Sequence, residues 1–197
     1  MRSRTILALV LVSAVASTAA QSPQALAETA YAKLQAVMQG TSRSAARAAA
    51  LRRTVFSQAE MNAYLQHRAG TWLPTGLTDP AVRFLGPNRV ATLVTADLDG
   101  VRRRSSGGWF DPTAYLSGRL PVEVTGVLAT SDGRGRFTLE RATIDGIPVP
   151  KLFIDELLAY YTRTPANPAG MRLDEPFELP SEIRRIDVAP GEAVVIQ

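Results

Sequence analysis

The sequence predicts an α+β fold in which N-terminal helices and one later amphipathic helix pack in a strongly curved, mostly antiparallel sheet. Apolar residues recur with the helical period near the N-terminus and again after Pro150, while most of the chain between and beyond these stretches reads as strands and short turns. The strand connections are mainly hairpins, which join antiparallel neighbours. With 197 residues, the chain is long enough for one compact domain.

Residues 1–20 have the three-part pattern of a secretory signal peptide. Arg2 and Arg4 precede an apolar run over residues 6–16, and small residues follow at 17–20. The run is too short to span a bilayer as a mature helix, although an uncleaved N-terminal anchor stays open as an alternative. We predict cleavage after Ala20, with residues 25–27 as a second acceptable site. A single α+β domain over residues 21–197 is then exported, to a periplasm or as a secreted protein.

The composition excludes several classes of site. The chain has no cysteine and one histidine, so disulfides, thiolate metal sites and cysteine nucleophiles are excluded. Without Arg2 and Arg4, the formal net charge of +4 falls to +2, which gives no electrostatic footprint for nucleic acid. His67 lacks the serine motif of a hydrolase triad, and we expect it to lie half-exposed on a helix. The sequence therefore predicts no enzyme, no catalytic residue, no metal ligand and no cofactor.

Two helical stretches are predicted before residue 57, and the sequence leaves open whether the break at residues 40–42 separates them into two helices. The first covers residues 24–39, and an Ala-rich stretch at 45–51 also favours helix. One face of the first helix carries Ala27, Tyr31, Leu34 and Met38.

A further helix begins at a capping box. Ser57 and Glu60 have the S-x-x-E spacing in which each side chain accepts a hydrogen bond from the other's backbone N–H. Phe56, just before the cap, can pack on Met61 as a hydrophobic staple. Gly70 is predicted to stop this helix.

Three hairpins account for the strands. Gly126 lies inside a long strand and indicates a bend or a close approach, and a shift in the apolar alternation predicts a bulge near Glu140 and Arg141. Both features let a long hairpin coil. The predicted strand pairs are residues 81–85 with 89–99, 119–131 with 136–144, and 183–188 with 193–197.

The helix predicted over residues 151–163 has a broad apolar face, with Lys151, Asp155 and Thr162 opposite it. An extended connector at residues 146–150 precedes it and a Pro-containing loop at 164–170 follows. Such a wide face is either wrapped by a curved sheet as core or lines an apolar cavity, and the sequence leaves both open.

Two groups of charged residues are candidates for chemistry. Asp97 and Asp99 lie two apart on a strand and project from one face, but the following residues Arg102, Arg103 and Arg104 favour exposed ion pairing over a metal or catalytic role. The three arginines form a solvated loop in one interpretation and contact lipid headgroups in another.

The sequence resembles small exported bacterial proteins of the tubular lipid-binding (TULIP) superfamily, in its periplasmic and lipoprotein branches. The resemblance rests on the helix start at residues 56–65, which is similar to an S/T-x-x-E-x-N-x-x-L pattern in those proteins. Residues 96–99, which end a strand, and 118–122, which open the next, support it. The resemblance implies a strongly curved antiparallel sheet around a long helix, with an apolar groove for lipid tails.

The sequence therefore favours an exported protein that binds lipid or another apolar ligand in a groove between a curved sheet and helices. The alternative is a cell-envelope interaction or scaffold module whose core is closed. A lipid or acyl chain, and peripheral contact with membrane or envelope proteins, are the expected partners. The candidate groove lining is Met61, Tyr64, Leu65, Val124, Phe153, Leu157, Tyr160 and Tyr161, with Arg102, Arg103 and Arg104 as candidate headgroup contacts.

Overall fold

A computed structural model describes residues 21–39, 51–68, 70, 73–99 and 117–197. Within these ranges the helices are α1 (Pro23–Met38), α2 (Gln58–Arg68) and α3 (Lys151–Thr162). The strands are β1 (Arg53–Ser57), β2 (Leu77–Phe84), β3 (Arg89–Asp97), β4 (Arg119–Ser131), β5 (Arg134–Ile144), β6 (Ile147–Pro148), β7 (Phe177–Glu178), β8 (Arg185–Ala189) and β9 (Glu192–Ile196).

The strands of the described residues form two antiparallel sheets. The larger has the order β2-β3-β4-β5-β6, with β7 pairing the opposite end of β5 from β6, and the smaller has the order β1-β9-β8. The larger sheet is strongly curved, so the predicted α+β class with a curved antiparallel sheet is confirmed. The three predicted hairpins are all present.

Two features of the β4–β5 hairpin account for its coiling. The register shifts between Thr125 and Gly126, which leaves Glu140 as the extra residue of a bulge and confirms the bulge predicted there. A Cβ added at Gly126 would press on the backbone oxygen of Thr138 and lie 2.6 Å from Cζ of Phe137. Glycine is therefore required for this close approach, and the Phe137 ring covers it.

Polar side chains join the two sheets. The hydroxyl of Thr130 on β4 accepts a hydrogen bond from the Ile186 N–H at 2.8 Å and donates one to the Ile186 carbonyl at 2.8 Å. Asn88, in the β2–β3 turn, also makes two bonds to Val188: its side-chain Oδ1 accepts from the Val188 N–H and its backbone N–H donates to the Val188 carbonyl, each at 2.9 Å. The edge of β8 that does not pair with β9 is thus hydrogen-bonded to Thr130 and Asn88 of the larger sheet.

The predicted capping box at the start of α2 is confirmed. The Glu60 N–H donates to Oγ of Ser57 at 3.1 Å, and the Ser57 N–H donates to Oε2 of Glu60 at 2.9 Å. Lys33 of α1 bonds both carboxylate oxygens of Glu60 at 2.7 and 2.8 Å and the Val55 carbonyl at 2.8 Å. One partly buried ion pair therefore ties α1, β1 and α2 together.

Helix α2 also covers the outer edge of β2. The Asn62 side chain donates to the Val82 carbonyl at 3.0 Å and accepts from the Val82 N–H at 2.7 Å, as a neighbouring strand would. Gln58 Oε1 accepts from the Phe84 N–H at 2.8 Å. Unpaired strand edges invite association with other chains, and these two amides close this one.

The structure corrects several expectations. Strand β1 was not predicted, and β5 begins at Arg134, two residues before the expected start. On α1, Met38 is 53% exposed instead of core, while the neighbouring Val37 is buried at 2%. The helix expected over residues 45–51 lies outside the described residues except for Leu51, which is not helical.

Candidate functional site

The apolar cluster between α3 and the larger sheet is the candidate site. Here the inner face of the larger sheet, the face that bears Ala96, Val122 and Ile144, meets the apolar face of α3. The centre of the cluster is buried. Around it lies a rim of half-buried apolar side chains: Leu77, Val94, Leu120, Val124, Leu139, Val149, Tyr160, Tyr161 and Leu173.

Five of the predicted lining residues meet in this one cluster. Phe153 and Leu157 are each 6% exposed and form part of its centre. Val124 of β4 and the two tyrosines of α3 lie on the rim. The structure thus brings together Val124, Phe153, Leu157, Tyr160 and Tyr161.

The three lining residues predicted on α2 lie elsewhere. Met61 packs between two other clusters, one around Phe56 and one around Phe84, and Leu65 packs on the second of these. Tyr64 stacks on Tyr31 of α1, with ring centroids 6.5 Å apart. The amphipathic face of α2 is therefore packed against β-strands and α1, away from α3.

Tyr161 links α3 to the end of β3. Its hydroxyl donates to the backbone carbonyl of Asp97 at 2.5 Å, and its ring meets the Tyr160 ring edge-on at 5.0 Å. Burial, reinforced by the negative charge of Asp97, raises the pKa of Tyr161 to about 12. The phenol is therefore protonated, and able to donate, throughout the physiological pH range.

Asp155 is buried, which corrects its prediction on the polar side of α3. It is 5% exposed, its Oδ2 accepts from the Lys151 ammonium at 2.6 Å, and its Oδ1 accepts from the Leu173 N–H at 3.1 Å. Burial alone would raise the pKa of Asp155, but the Lys151 ammonium and the Leu173 N–H together lower it. The carboxylate is an anchor for the segment that follows α3.

Asp97 and Asp99 shape the chain at the end of β3. Oδ1 of Asp97 accepts from the Asp99 N–H at 3.0 Å, and Oδ1 of Asp99 accepts from the Gly118 N–H at 3.0 Å. Both carboxylates thus bond backbone N–H groups next to the site. Arg102, Arg103 and Arg104, the candidate headgroup contacts, lie outside the described residues.

Other kinds of site find no support in the described part of the chain. In those ranges no three His, Asp or Glu side chains converge on a position suited to a metal ion. None of the helices described is long and apolar enough to cross a membrane. His67 is exposed on α2.

Comparisons with protein-family models, with curated proteins and with solved structures found no match.

Proposed function

We propose that the protein binds an apolar ligand, a lipid or an acyl chain, between α3 and the inner face of the larger sheet. The rim of half-buried apolar side chains around the α3 cluster carries the proposal. A ligand pocket of this class is lined mainly by apolar and aromatic groups, with a few fixed polar ones. Tyr161 and the carbonyl of Asp97 supply such polar groups at one end.

The construction of α3 also supports a site that can open. The N-cap residue, Pro150, makes no side-chain capping bond, the first turn has no acidic residue and the last turn has no basic one. An isolated helix of 12 residues is marginal in water, so α3 depends on its packing against the sheet. A ligand that offers equivalent apolar contact can replace part of that packing.

The predicted signal peptide and the resemblance to tubular lipid-binding proteins are consistent with this role in a cell envelope. Lipids are the abundant apolar ligands there. Contact of Arg102, Arg103 and Arg104 with headgroups remains a prediction on the same basis.

A closed-core scaffold module is the second candidate. The observation that favours it is burial: protein atoms alone leave Phe153, Ile154 and Leu157 no more than 6% exposed. In that case the apolar face of α3 is core, and the outer surface of the domain carries the function.

Binding of a fluorescent fatty acid to the delipidated protein separates the two candidates. Saturable binding is expected to be lost in Leu157→Trp, which fills the site, and in Val124→Phe, which narrows it from the sheet side. The matched control is Leu152→Trp, because Leu152 lies on the same helix and is 62% exposed. Circular dichroism checks that each variant is folded.

The stability of Leu157→Ala gives a second, independent reading. Truncation in a closed core costs about 2–5 kcal/mol, and the cost falls to the low end or below where a void already exists. No saturable binding together with a full cavity cost would refute the ligand-binding proposal and leave the scaffold function. Lipid that is extracted from the purified protein and identified by mass spectrometry would support the ligand-binding proposal.

A further inference from the structure

The segment after α3 runs back along the helix that it follows. The Met171 N–H donates to Oγ1 of Thr162 at the C-terminal end of α3 at 2.7 Å. The Leu173 N–H reaches Asp155 at 3.1 Å, and Asp174 forms an ion pair with Lys151 at 2.8 Å, at the N-terminal end. Residues 164–174 are here called the strap: the chain turns at residues 164–167, and residues 170–174 then lie antiparallel to α3.

Close packing makes the helix and the strap one body. Gly170 is buried, has φ near +76°, and leaves no space for a side chain, since an added Cβ would lie 2.6 Å from Cα of Ala159. Asn167 holds the turn before it, donating from Nδ2 to the Gly170 carbonyl at 3.0 Å. The polar anchors of the strap named here all reach α3 or the strap itself. We call α3 with residues 164–174 the cover.

Prolines bound the cover on both sides, next to the edge of β5. On the N-terminal side Pro148 and Pro150 flank Val149, whose N–H donates to the Ala142 carbonyl of β5 at 3.1 Å. On the C-terminal side Pro176 precedes β7, which pairs with Gly135 at the other end of β5. Pro148 ends β6, and after the Val149 bond the backbone of Pro150 has no N–H to donate to β5. Pro176 likewise has no N–H, so pairing with β5 resumes only with β7.

The opposite side of the cover meets β3, two strands away from β5 in the sheet. There the Tyr161 hydroxyl bonds the Asp97 carbonyl at 2.5 Å. Between the two sides, the contact with the sheet is the apolar cluster beneath α3. In the part of the chain that the structure describes, attachments at one edge, the Tyr161 bond at the far side and apolar contact between them are the arrangement of a hinged lid.

We propose that the cover opens as a single lid, hinged at Pro148–Pro150 and Pro176 and latched by Tyr161 on Asp97. Lys151 and Asp155 keep the strap on the helix, so that both leave the sheet together. Opening uncovers the inner face of the sheet. That this is the entry route for an apolar ligand rests on the proposed function, whereas the motion itself does not.

Hydrogen exchange of the full-length protein, followed by mass spectrometry, tests the lid without any ligand. Amides of α3 and of residues 170–174 are expected to exchange with one common opening free energy, below that of β3 and β4. Tyr161→Phe removes the latch bond, and exchange in both segments should rise together by about two- to ten-fold. Tyr31→Phe, a phenol on α1 remote from the cover, is the control and should leave both unchanged.

A third variant tests the ties within the cover. Asp155→Ala should uncouple the strap from α3, so that amides of the strap exchange faster than amides of the helix. The proposal is overturned if strap and helix already exchange independently in the parent, or if Tyr161→Phe affects the strap alone. Faster uptake of a fluorescent fatty acid by Tyr161→Phe would connect the lid to the proposed site. If the strap and α3 exchange together but the protein takes up no fatty acid, the lid proposal stands and the ligand-binding proposal is refuted.

Discussion

Asn62 offers a sharp test of how α2 protects the edge of β2. Its side-chain amide makes two hydrogen bonds to the backbone of Val82. It donates to the Val82 carbonyl at 3.0 Å and accepts from the Val82 N–H at 2.7 Å. A carboxylate at this position can still accept from the Val82 N–H, but its second oxygen then faces the Val82 carbonyl with no proton between them. A protonated carboxyl group restores both bonds, because it has one donor and one acceptor like the amide.

Asn62→Asp should therefore be destabilised at neutral pH and recover in acid. A net hydrogen bond is worth about 0.5–1.5 kcal/mol, and a partly buried group left unsatisfied costs about 1–3 kcal/mol, so a loss of about 2–3 kcal/mol is expected at pH 7. The facing carbonyl raises the folded pKa of the new carboxyl above its unfolded value near 3.9. The restored stability is thus fully present below the unfolded pKa and is lost as the pH rises through the folded one.

The assay is urea denaturation of the parent and its variants between pH 3.5 and 7. Gln66→Glu is the matched control, since it makes the same amide-to-acid change on the exposed side of α2. Subtracting the free energy of unfolding of one variant from that of the other at each pH removes the acid sensitivity that both share with the parent. A penalty for Asn62→Asp that equals that of Gln66→Glu, or that does not shrink in acid, would show that the edge bonds do not matter to stability.

Four further outcomes follow from the structure. Ser57→Ala should lose about 0.5–2 kcal/mol of unfolding free energy through the orphaned helix N–H, and an unchanged urea midpoint would contradict the cap. Burial would raise the pKa of Glu60, but Lys33 and the Ser57 N–H lower it below its ordinary value. The stability that ionised Glu60 contributes is therefore present above its unfolded pKa and lost as the pH falls through its folded pKa. Glu60→Gln should make the urea midpoint depend less on pH below about pH 5. Gly126→Ala should cost about 1–3 kcal/mol or more, whereas Gly70→Ala, with open space around it, should be tolerated in the same titration. The predicted cleavage after residue 20 would keep Ser22, which caps α1 by accepting from the Ala25 N–H at 3.2 Å, so mass spectrometry of the mature chain is expected to find a start at residue 21, and a start at residue 28 would contradict this.

Local patterns predicted the parts of the fold that are locally determined. The capping box involves residues three apart, and the bulge near Glu140 shows in the alternation of a single strand, so both could be found from the sequence. Strand β1 could not, because it exists through pairing with β9 at the far end of the chain. Its five residues, at Arg53–Ser57, carry no clear alternation, and Ser57 itself signals a helix start.

Only some residues of the candidate site could be found from the sequence, and the reason is physical. Periodicity shows that a helix face is buried but not what buries it, so α2 and α3 both appeared as walls of one groove. The structure packs Leu65 with Phe84 and keeps Leu157 with Ile144, in separate clusters. The strap escaped prediction because its residues have the composition of a loop, and its order comes from tertiary anchors such as Asp155.

The motif behind the family resemblance has a structural explanation in this chain. Ser57 and Glu60 cap each other, Asn62 closes the edge of β2, and Leu65 packs beneath it. Each of these residues is therefore engaged in building the junction of α2 with the sheets. A pattern of this kind can persist in proteins with different ligands or none, because it specifies an architecture. Evidence for a ligand must come from the α3 cluster, where Leu157, Tyr161 and the strap have no part in the motif.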